Sequence, residues 1–331
     1  MKHVNIPVFI PHSGCPHQCI FCNQNKITGQ DKPMTPSAAR QEIERYLSFL
    51  SYPAEEIEIA FFGGSFTAIT PSEQEAYLAL AQEYVLQGKA GGIRLSTRPD
   101  AVGDDVLRRL QAYGVTTVEL GVQSFSEEVL RRAGRGHSAE CAKNACRRVK
   151  SAGFSLGVQL MCGLPEDSRE SCLRSAREAV LCKADFVRIY PVLVLAETPL
   201  AEQYQRGEYC PLSLEEAVER AADMTQALSP VPVIRTGLCT DSLLPGELIA
   251  GPSHPAFGEL VSSRLWRRSV SSFLEGQSTG GKELWISAPV SAFSQLAGQK
   301  KENRQFWKKT YGLREIRFFP GAKTEFVLKE V

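Results

Sequence analysis

The sequence predicts an α/β protein built on a parallel β-sheet, followed by a small α+β domain. Short apolar strands alternate with helices as far as residue 240, which is typical of a parallel sheet. After that point a stretch rich in Gly, Pro and Ser covers 246–258, and the alternation ends. Open sheets and barrels share this alternation, so periodicity alone does not decide between them.

The predicted elements follow in chain order. Six strands are predicted at 4–10, 57–62, 92–97, 116–122, 154–161 and 185–192. Helices are predicted at 36–50, 71–87, 103–112, 138–152 and 168–183. Thr35 and Thr70 each precede a Pro and Ser138 precedes an apolar periodic run, as at helix N-termini.

Beyond residue 240 we expect a basic helix at 291–310, stopped by Gly312, and strands at 313–319 and 323–329. The predicted domains are therefore 1–240 and 241–331.

The composition is that of an ordinary globular protein, with 43% hydrophobic and 23% charged residues. No run of 18 apolar residues occurs, so no membrane span is expected. Pro7 breaks the short apolar run near the N-terminus, which argues against a signal peptide and for a cytoplasmic location. In a reducing compartment, isolated cysteines act as small core residues; seven are expected to do so: Cys141, Cys146, Cys162, Cys172, Cys182, Cys210 and Cys239.

The charge is unevenly spread. Residues 260–331 hold 13 Lys/Arg and 6 Asp/Glu, a surplus of +7, which leaves −6 for residues 1–259. The predicted basic helix carries Lys300, Lys301, Arg304, Lys308 and Lys309 around Phe306 and Trp307, and a second cluster is Arg264, Arg267 and Arg268. Basic side chains among aromatic ones favour an RNA partner. The alternative is a solvated helix whose aromatic side chains pack inward.

The candidate functional residues follow the predicted strands rather than precede them. They are Cys15–Cys22, Gly63–Gly64, Arg98, Gln123, Gly163–Pro165 and Tyr190–Pro191. Because the carboxyl ends of parallel strands meet at one edge of the sheet, we expect these groups to converge there. Tyr190 is a candidate pocket residue.

The strongest motif is a C-x3-C-x2-C segment formed by Cys15, Cys19 and Cys22. Thiolates are ligands for iron–sulfur clusters and for zinc. Three thiolates on one four-iron cluster leave one iron free for another ligand, whereas a closed zinc site wants a fourth protein ligand. His12 or His17 could supply that ligand, so zinc is the alternative.

Further motifs follow in a fixed order: STRPD at 96–100, VELGVQSFS at 118–126, RRAGRGHS at 131–138, GLPEDS at 163–168 and RIYPVLVLAETPL at 188–200. Together with the cysteine motif and its aromatic Phe21, they resemble the radical S-adenosylmethionine (SAM) superfamily. Within it, the set is similar to the radical SAM domain of the catalytic subunit of Elongator, a tRNA-modifying enzyme. It is more loosely similar to oxygen-independent coproporphyrinogen III oxidases and related heme chaperones. The resemblance covers about residues 4–240.

This resemblance implies a partial (β/α)6 barrel with a [4Fe–4S] cluster at its open top. By resemblance, the cluster ligands are Cys15, Cys19 and Cys22. SAM would be held by Phe21, Gly63, Gly64, Gln123, Arg135 and Gln159. In the family pattern the glycines receive the SAM amino group, Gln123 the ribose and Arg135 the carboxylate. Ser65 departs from it, since many relatives carry an acidic residue there, and Ser96 replaces a Glu of the Elongator-like motif.

The implied function is that of a radical SAM enzyme, which cleaves SAM to a 5′-deoxyadenosyl radical for modification of tRNA or another nucleic acid. The expected partners are tRNA, through the basic C-terminal region, and an electron donor such as flavodoxin or ferredoxin. The alternatives are a small-molecule or porphyrin-like substrate, or a non-catalytic cofactor chaperone. About 90 residues follow residue 240, too few for the acetyltransferase domain of the Elongator subunit.

Overall fold

The computed structural model describes residues 4–10, 14–15, 19–29, 32, 34–238 and 243–330. Three residues named above, His12, His17 and Cys239, lie outside these ranges. The chain forms two compact units. The first contains the described residues up to Ala217 together with Asp223–Ser253, and the second contains Val218–Ala222 and His254–Val331. The boundary after residue 240 stays a prediction.

The first unit is built on a curled, seven-stranded, all-parallel sheet that forms an open half-barrel. Its strands are β1 (Val4–Phe9), β2 (Ile57–Phe62), β3 (Gly92–Thr97), β4 (Val115–Gln123), β5 (Ser155–Cys162), β6 (Phe186–Pro191) and β8 (Val233–Thr236). They lie side by side in chain order without a reversal, as in a barrel rather than a doubly wound sheet. The six predicted strands are all present. The short β8 was not predicted.

Helices cover the connections of this unit. They are α1 (Gln24–Thr28), α2 (Pro36–Phe49), α3 (Pro71–Leu86), α4 (Asp104–Ala112), α5 (Glu127–Arg132), α6 (Ala139–Ser151), α7 (Arg169–Leu181), α8 (Pro199–Gln205) and both ends of α9 (Leu214–Ala227), whose middle, Val218–Ala222, belongs to the second unit. The predicted caps are confirmed: the hydroxyls of Thr35, Thr70 and Ser138 accept hydrogen bonds from backbone N–H groups in the first turns. These caps fix where each helix leaves the carboxyl end of a strand.

Two irregularities in the sheet turn polar side chains inward. Between Leu120 and Gln123, three steps along β4 pair with two steps along β5. Between β6 and β8, Val187 pairs with Val233 but Arg188 pairs with Arg235. Side chains alternate between the two faces of a strand, so one inserted residue moves every later side chain to the opposite face. The bulges thus decide the face that Gln123 and Arg235 occupy.

A two-stranded antiparallel pair, β7 (Val194–Leu195) with β9 (Leu248–Ala250), lies beyond β6. An apolar cluster connects β7 with the cysteine segment: Val192, Val194 and Leu200 are buried in it, and Ile20 and Phe21 pack against it. Burial of this apolar surface fixes the second half of the cysteine segment against the half-barrel.

The second unit holds a three-stranded sheet and three helices. They are α10 (Phe257–Leu274), β10 (Glu283–Ala288), α11 (Phe293–Ala297), α12 (Glu302–Tyr311), β11 (Glu315–Pro320) and β12 (Glu325–Lys329). The strand order is β11-β10-β12, with β11 parallel and β12 antiparallel to β10. Trp307 is fully buried in the core of this unit.

The predicted continuous helix at 291–310 is wrong. The chain leaves the helical conformation at Gly298, which has φ 74°, and Lys300 and Lys301 also have positive φ values. The helix therefore divides into α11 and α12, and Gly312 ends α12 in the left-handed conformation as predicted.

Of the six isolated cysteines that the structure describes, three are buried, Cys141 and Cys182 are half-buried, and one is exposed. Cys146, Cys162 and Cys172 are buried, as expected of small core residues. Cys210 is exposed, so the core prediction is wrong there, because its loop lies outside the regular layers.

Candidate active site

The cysteine segment lies against the turn that follows β2. Gly14 has φ 72°, and a Cβ atom there would lie 2.4 Å from the carbonyl oxygen of Ser65. Only glycine permits this approach. Further on, the N–H of Ile20 donates to the Ala133 carbonyl at 3.2 Å, and the Ile20 carbonyl accepts from the N–H of Leu200 at 2.9 Å. These contacts hold the segment that carries the three thiols.

Cys19 is buried, Cys15 and Cys22 are half-buried, and the three thiols lie near one another. Burial, and after it the neighbouring Cys19 and Cys15, raise the pKa of Cys22 to about 12. Burial and then Cys19 also raise the pKa of Cys15. Three thiolates could coexist in this setting only with a compensating positive centre, which is what a metal ion or an iron–sulfur cluster supplies. The donor set therefore fits such a group.

Within the described ranges, no group of three or more His, Cys, Asp or Glu side chains is arranged to hold a metal ion. The assignment of Cys15, Cys19 and Cys22 as ligands therefore stays a prediction. The zinc alternative invokes His12 or His17, which both lie outside the described residues.

Arg135 connects the cysteine segment with the sheet. Its Nη1 lies 2.9 Å from Cys19 Sγ, and its Nη2 donates to the Gly121 carbonyl. The side chain is buried, and its Nε has no hydrogen-bond partner among the described residues. A buried donor without a partner is unfavourable, so an acceptor on a bound molecule would complete this site.

A second arginine lies beside it. Arg98 follows β3, is buried, and donates to Asp100 from Nε at 2.9 Å and from Nη2 at 3.0 Å. Burial alone would raise the pKa of Asp100, but Arg98 holds it below its ordinary value, so the pair is charged. Arg98 Nη2 also donates to the Arg135 carbonyl, which joins the two arginines into one buried cationic wall.

Gln123 ends β4 with φ 70°, a conformation that non-glycine residues seldom adopt. Its Oε1 accepts a hydrogen bond from Gln159 Nε2 on the neighbouring strand at 3.2 Å. The strained backbone and the bulge before it place both amides on the inner face of the sheet. Backbone strain of this kind concentrates at functional sites.

Gly63 and Gly64 follow β2, and Gly63 has φ 100°, which favours glycine. The neighbouring Ser65 is fully buried, with its Oγ 2.9 Å from Thr97 Oγ1. The Ser65 hydroxyl therefore packs the turn rather than facing a ligand.

These residues converge on one cavity of about 480 Å³ inside the first unit. Eight of the nine predicted site residues line it: Cys15, Phe21, Cys22, Gly63, Gly64, Gln123, Arg135 and Gln159. The ninth, Cys19, contacts Arg135. Tyr190, at the end of β6, also lines the cavity, as expected of a candidate pocket residue. The groups predicted to converge after β1, β2, β3, β4 and β6 therefore meet at this cavity, whereas Gly163–Pro165 after β5 do not line it.

Sequence reasoning missed an ionic network in the sheet, two members of which, Glu119 and Arg188, line the cavity. Arg94 donates to Glu58 at 2.8 Å and to Glu119 at 2.9 Å, and Arg188 Nε lies 3.1 Å from Glu119 Oε2. Thr117 also donates to Glu58, at 2.8 Å. The signal was present, because each of these residues lies within an otherwise apolar strand, where a charged residue is exceptional unless it is paired.

The basic C-terminal region differs from the prediction in part. Trp307 lies in the core, so it cannot contact a partner, while Phe306 is 37% exposed with Arg267 over its ring. Arg264 and Arg268 both pair with Glu219, so these two arginines serve the fold. The alternative that the aromatic side chains pack inward therefore holds for Trp307.

Comparisons with known proteins decide the family. A family model described as the radical SAM superfamily matches residues 9–179, and one described as the radical SAM C-terminal domain matches residues 184–267. The chain belongs to the radical SAM superfamily. It is therefore an enzyme of that superfamily.

Several curated proteins are similar to this chain in sequence. The tRNA uridine(34) acetyltransferase of Methanocaldococcus infernus is 27% identical over 307 residues, which span 80% of this chain and 57% of that protein. Elongator complex protein 3 of Homo sapiens is 28% identical over 302 residues, 77% of this chain and 54% of that protein. The chain thus spans a little over half the length of these two relatives.

The structural comparison agrees. This chain is similar to the solved structure of archaeal Elp3 from Methanocaldococcus infernus, which lacks that protein's residues 1–46. The TM-score is 0.65 and the sequence identity is 26%. The match covers 81% of this chain and 63% of that one. Across the described residues, no helix has the length and hydropathy needed to cross a membrane.

Proposed function

We propose that this radical SAM enzyme holds a [4Fe–4S] cluster on Cys15, Cys19 and Cys22 and modifies tRNA. The observation that carries the proposal is the single cavity that gathers Cys15, Cys22 and the predicted SAM-binding residues beside the buried Arg135. When bound, such a cluster supplies the electron that cleaves SAM into methionine and a 5′-deoxyadenosyl radical.

The cysteine segment would hold the cluster against the half-barrel. Gly14 allows the segment to pack on the turn after β2, and Ile20 is hydrogen-bonded on both sides of its peptide. These contacts fix the backbone next to Cys15 and next to Cys19. Arg135 Nη1 lies 2.9 Å from Cys19 Sγ, so a SAM carboxylate held by this arginine would lie next to the cluster.

SAM would lie along the inner face of the sheet. The unpartnered Nε of Arg135 suits the SAM carboxylate, because guanidinium–carboxylate pairs are charge-assisted. Gly63 and Gly64 permit a close backbone approach to the amino group. The hydrogen-bonded amides of Gln123 and Gln159 would face the ribose hydroxyls.

Apolar residues would keep water from the reacting atoms. Phe9 and Phe62, the last residues of β1 and β2, line the cavity. Leu193 and Leu195 line it from the segment around β7. A reactive radical requires such shielding, since solvent opens side reactions.

The tRNA substrate is supported by the relatives, which include a tRNA uridine(34) acetyltransferase and Elongator complex protein 3. Acetyl transfer is not part of the proposal, because the match spans a little over half of those proteins. Flavodoxin or ferredoxin as electron donor, and tRNA contact through the basic C-terminal region, belong to the proposal.

The test is formation of 5′-deoxyadenosine by the anaerobically reconstituted, reduced protein. Bulk tRNA should increase the rate, and the same tRNA digested with ribonuclease should not. Equal rates with intact, digested and no tRNA would contradict the tRNA substrate while leaving SAM cleavage in place.

A further inference from the structure

Besides Arg98 and Arg135, two arginines line the cavity, and the proposed cluster and SAM contacts do not use them. Arg188 on β6 and Arg235 on β8 occupy directly paired positions and both line the cavity. The bulge at Ile234 produces this pairing: in a regular register Arg188 would face Ile234, and Arg235 would lie on the opposite face of the sheet.

The carboxylates nearby do not balance these arginines. Glu58 and Glu119 together offset Arg94 and Arg188, two negative charges against two positive ones. Arg235 lines the cavity and is exposed to solvent. Among the described residues, no carboxylate pairs with it. One positive charge is therefore left over at this wall of the cavity.

Like charges at directly paired positions on adjacent strands are destabilising unless something lies between them. The side chain of Arg188 is also fixed in place, since its guanidinium lies 5.2 Å from the ring centroid of Phe62 and pairs with Glu119. A fixed guanidinium beside a second, solvent-facing one is a suitable receptor for a tetrahedral oxyanion. Tyr190, two residues along β6, adds a hydroxyl to the same wall.

We propose that Arg188 and Arg235 form an oxyanion site that takes a phosphate group of the substrate nucleotide. This inference rests on the proposed tRNA modification. The site is separate from Arg135, which is assigned to the SAM carboxylate and lies beside the cysteine segment. A phosphate bound at β6 and β8 would hold the adjacent nucleoside within the cavity.

The test compares uridine 5′-monophosphate with uridine by calorimetric titration of the reconstituted protein in the presence of SAM. The wild type should bind the nucleotide at least about tenfold more tightly than the nucleoside. Arg235→Ala should remove this difference, and Arg188→Lys should reduce it. Arg147→Ala, which alters an exposed arginine of α6 paired with Glu140, should keep it.

Equal affinities for nucleotide and nucleoside in the wild type, or an unchanged difference in Arg235→Ala, would overturn the oxyanion site. Arg235→Ala should fold normally because the side chain is exposed, so a loss of binding reports on the site itself.

Two further measurements distinguish failure of the oxyanion site from failure of the proposed tRNA modification. Inorganic phosphate should compete with the nucleotide in the wild type and not in Arg235→Ala. Arg235-dependent phosphate binding without any tRNA stimulation would support the oxyanion site but assign it to a smaller phosphorylated substrate. In tRNA binding, Arg235→Ala should lower the salt dependence by about 0.7 in log–log slope, as expected for one lost phosphate contact to a single strand.

Discussion

Arg135 Nη1 lies 2.9 Å from Cys19 Sγ, although 116 residues separate the two in sequence. The same guanidinium donates to the Gly121 carbonyl and faces the cavity. One side chain therefore touches both the segment proposed to hold the cluster and the wall proposed to hold SAM. Iron content and SAM affinity, measured together in an Arg135 variant, show which of the two functions depends on this side chain.

Arg135→Ala should weaken SAM binding by tenfold or more while the iron content stays unchanged. The reason is the loss of a buried charge-assisted hydrogen bond, worth about 1.5–3 kcal/mol. Equilibrium binding of SAM to the reconstituted variant, together with iron analysis, measures both quantities. Arg131→Ala is a matched control, because Arg131 lies on the neighbouring α5 and is exposed. Loss of iron in Arg135→Ala would show that this residue supports the cluster rather than SAM.

Arg94→Met should lower the free energy of unfolding of the first unit by about 3–5 kcal/mol. Glu58 and Glu119 are both buried, and the substitution leaves them without their shared partner. Urea denaturation followed by circular dichroism measures the effect. Arg108→Met, which breaks an exposed pair with Asp105, should leave the transition unchanged. Equal stabilities of the two variants would refute the role given to the network.

His137 should make stability fall in mild acid. Burial, and then Arg135, lower its pKa to about 4, below the ordinary 6.5, so the unfolded chain binds a proton at pH 5 that the folded chain does not. Stability is then retained above pH 6.5 and lost as the pH falls toward 4, with about 2 kcal/mol lost by pH 5. Denaturation curves at pH 7 and pH 5 should show this loss in the wild type and a smaller one in His137→Asn. An identical pH dependence in both proteins would contradict the assignment.

Charge reversal at Lys300 and Lys301 should weaken tRNA binding and reduce its salt dependence by about one in slope per lysine that contacts a phosphate. Both lysines are exposed and have positive φ values, at the break between α11 and α12. Filter binding at several salt concentrations measures the slope. Lys89→Glu, an exposed lysine of the first unit, is the control. An affinity equal to that of the control would remove this region from tRNA recognition.

The six parallel strands and their helices were predictable because the strands are largely apolar and four of the five predicted helices begin at a hydroxyl cap, α4 after Gly103 being the exception. Thr70 is an example: the capping box with Glu73 that starts α3 is visible in the sequence. The site was predictable as a set, since its residues follow the strands. Their contacts were not, because the pair Arg135 and Cys19 is long-range.

The remaining features depend on register and tertiary packing. β8 is only four residues long, so it carries no clear period. The bulge at Ile234 cannot be seen in the sequence, so the face of the sheet on which Arg235 lies could not be predicted. The helix at 291–310 was overextended because Lys300 and Lys301 favour helix by propensity, while the chain turns at Gly298.

The most direct test of the central claim is anaerobic reconstitution of the wild type and of Cys15→Ala, Cys19→Ala and Cys22→Ala, with Cys210→Ala as the control. We expect about four irons and four sulfides per chain in the wild type and the control, with 5′-deoxyadenosine formed from SAM after reduction. Each of the other three variants should lose the cluster and the cleavage. Zinc in place of iron, full iron in any of these three variants, or a wild-type cluster that never cleaves SAM would contradict the account.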